Sequence, residues 1–330
     1  MKTRKSVLKT FLFSLTILFC SIVNAQPLHL NKTLRKQVVD NISLSLKDNY
    51  IYLDTAIRMS KFINSKFKAG AYDTIITPSV FASKLTSDLL SVYSDGHLSI
   101  EYNPNFSTGN SNPNTTDEEK PTERMLKFRK RVNFGFEKAE ILPGNIGYLK
   151  INGFFAPDNT AREMAIASLR FISNSEVLII DLRNNMGGDP GMVSYICGFF
   201  FKDKTHLNDL YSRKDKSNTS YWAIPDSTVK SLNTIPIYLL TSKKTFSAGE
   251  EFTYDLQTQK RAIIIGETTG GGAHPVQPFA IGNGFVANVP FARAINPITK
   301  TDWETKGVKP DIEVPAEKAL DVTLSRIKKK

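Results

Sequence analysis

Residues 235–252 read IPIYLLTSKKTFSAGEEF and join a strand-like segment to a helix-like one. The apolar run 235–240 is typical of a buried strand, and helical spacing begins at Ala248. A serine at such a junction, here Ser247, projects its hydroxyl into a cleft, where the free N–H groups of the first helical turn can bind a developing oxyanion. Serine is also a common helix N-cap, so this segment alone leaves a structural and a catalytic interpretation open.

Strands and helices alternate on both sides of this segment. Apolar runs predict strands at 146–151, 177–182, 235–240, 262–265 and 286–292. Helical periodicity predicts helices at 161–172, 192–201 and 248–256, with a last helix from Ala316. Apolar strands that alternate with helices indicate a largely parallel sheet covered on both faces, and therefore an α/β fold.

The front of the chain has a different pattern. Apolar residues recur at helical spacing over residues 30–92, which predicts three helices. A stretch rich in Asn, Pro, Ser, Thr and Glu follows and predicts a mobile surface loop. We therefore expect four segments in this order: a signal peptide at 1–25, an N-terminal helical domain at 26–101, a flexible loop at 102–125 and an α/β catalytic domain at 126–330.

The first residues predict export. A basic start at 1–5, an apolar run at 7–23 and a small-x-small exit at Ala25 are typical of a secretory signal peptide. The competing interpretation is an uncleaved membrane anchor, but the strongly apolar run is short for a spanning helix. We expect a periplasmic or extracellular protein with no stable membrane insertion after cleavage.

Composition excludes several classes of partner. The formal charge is +11, yet the lysines are scattered and no stripe of basic and aromatic residues suggests nucleic acid. The four histidines lack metal-ligand spacing, so we expect no metal and no cofactor. Once the signal is removed, Cys197 has no partner for a disulfide and is expected to pack as a small apolar residue. The sequence leaves the oligomeric state open.

A serine nucleophile needs a base, and the base benefits from an orienting acid. His97 is the first candidate base, because it stands in a turn of small polar residues after the predicted helices. His274, in the glycine-rich segment 270–275, is the rival. Asp181 ends a buried strand and either is catalytic or holds Arg183 and its loop.

These segments together resemble the tail-specific (C-terminal processing) protease superfamily, and within it the branch of tricorn core proteases and interphotoreceptor retinoid-binding-protein-like domains. The resemblance covers nearly all of the mature chain, and its motifs stand in the family's order at 95–98, 181–188, 245–251, 266–275 and 303–311. It implies a crotonase-like (ClpP-like) ββα spiral core with an N-terminal helical domain.

The resemblance also implies roles for individual residues. Ser247 becomes the nucleophile and His97 the general base, while Glu304 orients the base, through a bridging hydroxyl in tricorn-like enzymes. The oxyanion hole is formed by the N–H of Ala248 with that of Gly187 or Gly188. The remaining loop residues are expected to bind substrate: Gly271, Gly272 and His274.

The implied function is an exported serine endopeptidase that hydrolyses peptides or unfolded proteins through an acyl-enzyme. The alternative is a non-catalytic module that binds a peptide or an apolar ligand on the same fold. Two departures favour the histidine-based branch: Gly272 stands where the processing proteases carry a catalytic lysine, and no PDZ domain is present. A third departure is that Gly96 replaces the serine before the histidine, so that Ser94 or Ser99 would have to supply the hydroxyl, or Glu304 would act directly or through water.

Overall fold

A computed structural model describes residues 30–106, 123–229 and 232–329. The α-helices in these ranges are α1 (Lys32–Asn49), α2 (Leu53–Lys68), α3 (Pro78–Val92), α4 (Glu123–Arg131), α5 (Asn159–Phe171), α6 (Pro190–Cys197), α7 (Ala248–Thr258) and α8 (Ala319–Lys328). The strands are β1 (Ser99–Tyr102), β2 (Phe136–Leu142), β3 (Ile146–Ile151), β4 (Val177–Asp181), β5 (Thr205–Ser212), β6 (Ser217–Ala223), β7 (Ile237–Thr241), β8 (Ala262–Gly266), β9 (Val276–Gly282), β10 (Phe285–Pro290), β11 (Ala292–Ile295) and β12 (Ile312–Glu313).

A six-stranded sheet forms the centre of the α/β part, in the order β12-β8-β7-β4-β3-β2. All its neighbouring strands pair in parallel except β2 and β3, which are antiparallel. Its middle strands β4 and β7 are almost continuously apolar and buried, because helices cover both faces. Apolar residues of α5, α6 and α7 pack on one face, and those of α8 pack on the other. The predicted α/β class is confirmed.

The three N-terminal helices are present at the predicted places, but they share their hydrophobic core with a sheet. This second sheet has the order β1-β10-β9, and two of its strands come from the segment 276–290. Val38 and Leu85 of the helices belong to one buried cluster with Ile281 and Phe285 of the strands. The helical region therefore completes its core with late residues, and the two parts of the chain are joined through it.

A third sheet has the order β11-β5-β6, and Leu207 of β5 and Ala223 of β6 belong to the buried cluster of the α/β part. The hairpin β5–β6 was not predicted from the sequence, because β6 is mostly exposed and polar and lacks the apolar pattern of the other strands. The strand predicted at 286–292 is divided: β10 ends at Pro290, and β11 begins at Ala292 and pairs with β5.

Two expectations fall wholly or largely outside the described residues. These are the signal peptide at 1–25 and most of the loop at 102–125, of which residues 107–122 are not described. Helix α4 begins at Glu123 inside the predicted loop and contains no buried residue. In the described ranges, no helix combines the length and the apolar character needed to cross a bilayer.

Candidate active site

Ser247 stands at the N-cap of α7, directly after the loop that leaves β7. Its backbone is in an uncommon region for a residue with a side chain, with φ 51° and ψ −124°. Such a conformation costs on the order of 1–3 kcal/mol and recurs where a turn must present a nucleophile. The residue is half-buried and lines a cleft of about 1060 Å³, which His97 and Gly187 also line.

Side-chain and main-chain hydrogen bonds fix the loop before Ser247. The Thr245 hydroxyl donates to the Leu182 carbonyl at 2.8 Å, and the Ser242 hydroxyl donates to the Arg183 carbonyl at 2.5 Å. The Phe246 N–H donates to the Asn185 carbonyl at 3.0 Å. These bonds join the loops that follow the neighbouring strands β4 and β7, so the nucleophile turn is held at the carboxyl edge of the parallel sheet.

Glu250 ties the same turn to the glycine-rich loop after β8. This fully buried carboxylate accepts hydrogen bonds from the N–H groups of Ser247, Gly271 and Gly272 at 3.0, 2.7 and 2.7 Å. Burial raises the pKa of Glu250, and these donors oppose the rise. Gly271 and Gly272 therefore support the nucleophile turn, and they are absent from the residues that line the cleft.

The oxyanion-hole candidates differ in whether their N–H groups are free. Within the described residues, the N–H groups of Ala248 and Gly188 make no hydrogen bond, whereas the Gly187 N–H donates to Asn185 Oδ1 at 2.8 Å. A Cβ at Gly187 would lie 2.6 Å from Ser247 Cβ and 3.1 Å from the Ala248 nitrogen. Gly187 is thus needed for close approach, and Gly188 and Ala248 have the N–H groups that an oxyanion could use.

His97 comes to the same cleft from the turn between α3 and β1. Its ring packs on the ring of Phe246, the residue before Ser247, with centroids 4.7 Å apart. Burial lowers the pKa of His97, and this outweighs the opposite effect of the Asp95 carboxylate. The imidazole is therefore neutral at pH 7 and able to accept a proton. Its Nδ1 atom is buried and has no hydrogen-bond partner within the described residues.

The rival histidine, His274, lies in a buried ionic cluster next to the cleft. Its Nδ1 is 2.8 Å from Asp95 Oδ2 and 3.5 Å from Glu304 Oε2, and Tyr50 donates to the same Asp95 oxygen at 2.9 Å. Burial alone would lower the pKa of His274, but the hydrogen bond and charge of Asp95, with the charge of Glu304, raise it. His274 has no exposed surface and is not among the residues that line the cleft.

Glu304 belongs to this cluster and is not joined to His97 by a hydrogen bond. Its Oε2 accepts from the Ala273 N–H at 2.6 Å, and its Oε1 is buried without a partner in the described part of the chain. Burial and the charge of Asp95 raise the pKa of Glu304 to about 7, against the opposing charge of His274. The carboxylate that contacts the His97 turn is instead Asp95, whose Oδ1 accepts the His97 N–H at 3.1 Å.

In the described part of the chain, no hydroxyl is hydrogen-bonded to both His97 and Glu304. A Cβ at Gly96 would lie 3.0 Å from the Phe246 ring, so that ring occupies the space beside the position. The Ser99 hydroxyl donates to Glu101 at 3.3 Å and accepts from Asn288 at 2.8 Å, while Ser94 is exposed.

Asp181 holds Arg183 and its loop, which is one of the two roles that the sequence left open for it. Its carboxylate accepts three hydrogen bonds from Arg183 and one from Tyr148.

One cluster has the geometry of a metal site. Asp95, His274 and Glu304 each offer one ligand atom, and these atoms lie within 4.8 Å of one another. The direct hydrogen bond between His274 Nδ1 and Asp95 Oδ2 brings two of these ligand atoms together without a metal.

Several residues that organise the site were missed by sequence reasoning, notably Asp95, Phe246 and Glu250. A signal existed for Asp95, which stands two residues before His97 and can bond to its N–H as in an Asx-turn. Glu250 stands three residues after Ser247, where a carboxylate commonly reaches back to the N-cap N–H. Nothing in the sequence places the Phe246 ring against His97.

Comparison with known proteins finds two family models that match the chain. One, described as peptidase family S41, matches residues 145–314. The other, described as the N-terminal domain of peptidase S41 in eukaryotic IRBP, matches residues 25–143. A chloroplastic carboxyl-terminal-processing peptidase 2 from Arabidopsis thaliana is 32% identical over 217 residues, which are 59% of this chain and 38% of that protein. The chain thus spans about two fifths of that relative's length.

Solved structures share the fold at low identity. A lipoprotein from Streptococcus agalactiae superposes with a TM-score of 0.58 and 15% identity, over 89% of this chain and 96% of that one. The tricorn protease superposes with a TM-score of 0.56 and 14% identity, over 89% of this chain and 37% of that one. These likenesses support the expected core with its N-terminal helical region.

Proposed function

The chain belongs to peptidase family S41, and on that premise we propose that it is an exported serine endopeptidase acting on peptides or unfolded proteins. One observation carries the proposal. Ser247 and His97, which are 150 positions apart in sequence, line one cleft beside the free N–H groups of Ala248 and Gly188. A hydroxyl, a neutral imidazole and two free donors are the parts that acyl transfer requires.

In the proposed reaction, His97 Nε2 takes the Ser247 proton as the hydroxyl oxygen attacks the peptide carbonyl carbon. The N–H groups of Ala248 and Gly188 bind the oxyanion of the tetrahedral intermediate. His97 then gives its proton to the departing amine, and the acyl group remains on Ser247. Water attacks this ester, again with His97 as base, and releases the acid. Asp95, whose charge acts to raise the pKa of His97, stabilises the imidazolium in each step.

The export and domain assignments belong to the same proposal. Residues 1–25 direct secretion to the periplasm or beyond, and the mature chain acts there without a stable membrane insertion. Residues 26–101 form the helical region, and residues 126–330 carry the nucleophile. Edman sequencing of the secreted protein tests the first of these, with Gln26 as the expected first residue.

The central experiment combines a serine-reactive probe with a proteolysis assay. We expect a fluorophosphonate to form one adduct, located on Ser247 by mass spectrometry, and the parent protein to degrade fluorescein-labelled casein. Ser247→Ala and His97→Ala should each lower casein turnover by about 1,000-fold or more, because triad members act as a unit. Ser325→Ala, an exposed serine on α8, is the matched control and should keep parent activity. Full turnover in Ser247→Ala would contradict the proposal.

A non-catalytic peptide-binding module is the second candidate, and one observation favours it. The buried Nδ1 of His97 lacks an orienting acid, and loss of that acid costs about 10,000-fold in other triads. The same experiment separates the two candidates. A binding module leaves Ser247 unlabelled by the fluorophosphonate and casein intact, yet retains affinity for the unfolded chain.

A further inference from the structure

Strand β9 begins inside the cleft and is the edge of its sheet. Pro275 and Val276 line the cleft together with Ser247 and His97. In the order β1-β10-β9, β9 has a paired neighbour on one side only among the described residues. Its exposed positions are Val276, Gln277, Pro278, Ala280 and Gly282, so the strand lies at the surface from the cleft outward.

The hydrogen-bond register shows which backbone groups of β9 face the free edge. The Phe291 N–H donates to the Pro275 carbonyl at 3.0 Å, so these two residues form a hydrogen-bonded pair between the strands. The next pair, Val276 opposite Pro290, is then a non-hydrogen-bonded pair. The Pro290 carbonyl agrees with this, because it accepts from the Ile51 N–H on the other side. The N–H and C=O of Val276 therefore point away from β10.

The same alternation assigns the rest of the edge. Pro278 and Ala280 pair with Asn288 and Val286 and also direct their backbone groups outward. Because proline has no N–H, the edge offers a full donor and acceptor at Val276, an acceptor alone at Pro278, and a full pair again only at Ala280. Pro278 thus separates the two full donor–acceptor positions, of which only Val276 lines the cleft.

We infer that the Val276 N–H and C=O bind the main chain of an extended peptide and hold it beside Ser247. Edge-strand addition is a common way to bind peptides, because main-chain hydrogen bonds give affinity without selecting a side chain. The occupant is a peptide in extended form, since the edge is continuous with the cleft that contains the hydroxyl and the imidazole. The inference rests on the proposed function only for the nature of this ligand.

Binding to an inactive protein tests the inference separately from catalysis. In the Ser247→Ala background, we would measure the anisotropy of fluorescein-labelled β-casein, an unfolded chain. Val276→Pro removes the N–H without touching the bonds to β10, and should weaken binding about tenfold or more. Val276→Ala keeps the backbone groups and should stay within about threefold of the background protein. Ala280→Pro removes an outward N–H beyond Pro278 and should bind as the background protein does.

Three results would overturn the inference: unchanged affinity in Val276→Pro, equal losses in Val276→Ala, or equal losses in Ala280→Pro. Absence of β-casein binding by the Ser247→Ala protein would overturn it as well. Failure of the proposed function has a different signature, which is casein bound through Val276 but never cleaved by the parent protein.

A measurement on the ligand guards against a Val276→Pro variant that does not fold. A ten-residue β-casein peptide that binds the Ser247→Ala protein would be resynthesised with a single N-methyl group at each position in turn. We expect one position at which methylation weakens binding about tenfold, because the Val276 carbonyl loses its donor. If no position has this effect, main-chain pairing is excluded.

Discussion

The two sides of the cleft are built in different ways. We call the loop and helix that present Ser247 (residues 241–258) the serine wall, and the turn that presents His97 (residues 93–98), with the cluster beneath it, the histidine wall. The serine wall is held mainly by hydrogen bonds between loops at one edge of the central sheet, such as Thr245 to Leu182 and Glu250 to Gly271. The histidine wall is attached to a different core, and its turn rests on Asp95 in a buried cluster of charged groups. Several loops contribute bonds to the serine wall, whereas the turn of His97 depends on one cluster of three titratable side chains, Asp95, His274 and Glu304. The histidine wall should therefore be the more sensitive to the substitution of a single side chain.

The largest expected loss of stability comes from removing the imidazole of His274. His274→Phe keeps a ring but leaves the buried Asp95 and Glu304 carboxylates facing each other without a cation. We expect a loss of about 3–5 kcal/mol in the free energy of unfolding, the usual cost of breaking a buried ion pair. Urea denaturation measures this loss, and casein turnover should fall with it because Asp95 also holds the His97 turn.

The matched control is His206→Phe. His206 stacks on Trp222, and its Nε2 lies 2.9 Å from Asp209 Oδ1, but both side chains of this contact are partly exposed. Its loss should cost about 1 kcal/mol or less. If the two variants lose equal amounts of free energy of unfolding, burial of the His274 cluster does not increase its contribution to stability.

The serine wall also contains buried carboxylates with raised pKa values on α7, namely Glu250, Glu251 and Asp255. Burial raises the pKa of Glu251 on α7 to about 7, with Asp189 adding to the rise and the Asn208 hydrogen bond opposing it. The native state therefore binds an extra proton between the ordinary glutamate pKa and about 7. Its contribution to stability is complete at low pH and is lost as the pH rises through this window, by about 3 kcal/mol.

Glu251→Gln should remove this part of the pH dependence, because the amide stays neutral. Chemical denaturation at pH 5 and pH 8 measures it, and the variant should be the more stable protein at pH 8. The exposed Glu163→Gln should leave the parent profile unchanged. A parent protein whose stability rises between these pH values would contradict the assignment.

Gly272→Ala tests the contact between the two walls. An added Cβ would overlap the Phe246 ring and lie 2.8 Å from His97 Cε1, so both rings must move. Overpacking of this kind costs about 1–3 kcal/mol, and we expect casein kcat/KM to fall at least tenfold. Gly153→Ala places the same methyl group on the cleft wall, 3.5 Å from the nearest atom, and should change kcat/KM by less than about threefold. Equal losses would exclude ring displacement as the cause.

The smallest expected effect concerns backbone strain at Ser247. Its φ of 51° disfavours any residue with a Cβ, so Ser247→Gly should be about 1 kcal/mol more stable than Ser247→Ala. Both variants lack the hydroxyl, and their thermal unfolding midpoints isolate the strain. A glycine variant less stable than the alanine variant would show that the turn is not strained.

Sequence reasoning succeeded where local pattern and burial agree. The strand at Ile146–Ile151 and the helix at Ala248–Thr258 were found because each shows its own apolar periodicity. The polar hairpin β5–β6 was missed, since its pairing is decided by neighbours that lie elsewhere in the chain. The sequence also suggested His274 as a substrate contact, whereas in the fold its side chain is fully buried and contacts Asp95 and Glu304.

The α/β class and the turn that presents Ser247 could be predicted because each depends on residues close together along the chain. The family resemblance could be recognised because its motifs follow one another in a fixed order from 95 to 311, whatever their contacts in the folded protein. Which carboxylate contacts which histidine is visible only in the folded protein. Asp95, His274 and Glu304 come from three distant segments, and their contacts depend on how two cores pack together. Burial there removes water, and the loss of water sets both the pairing of these charges and the protons that they hold.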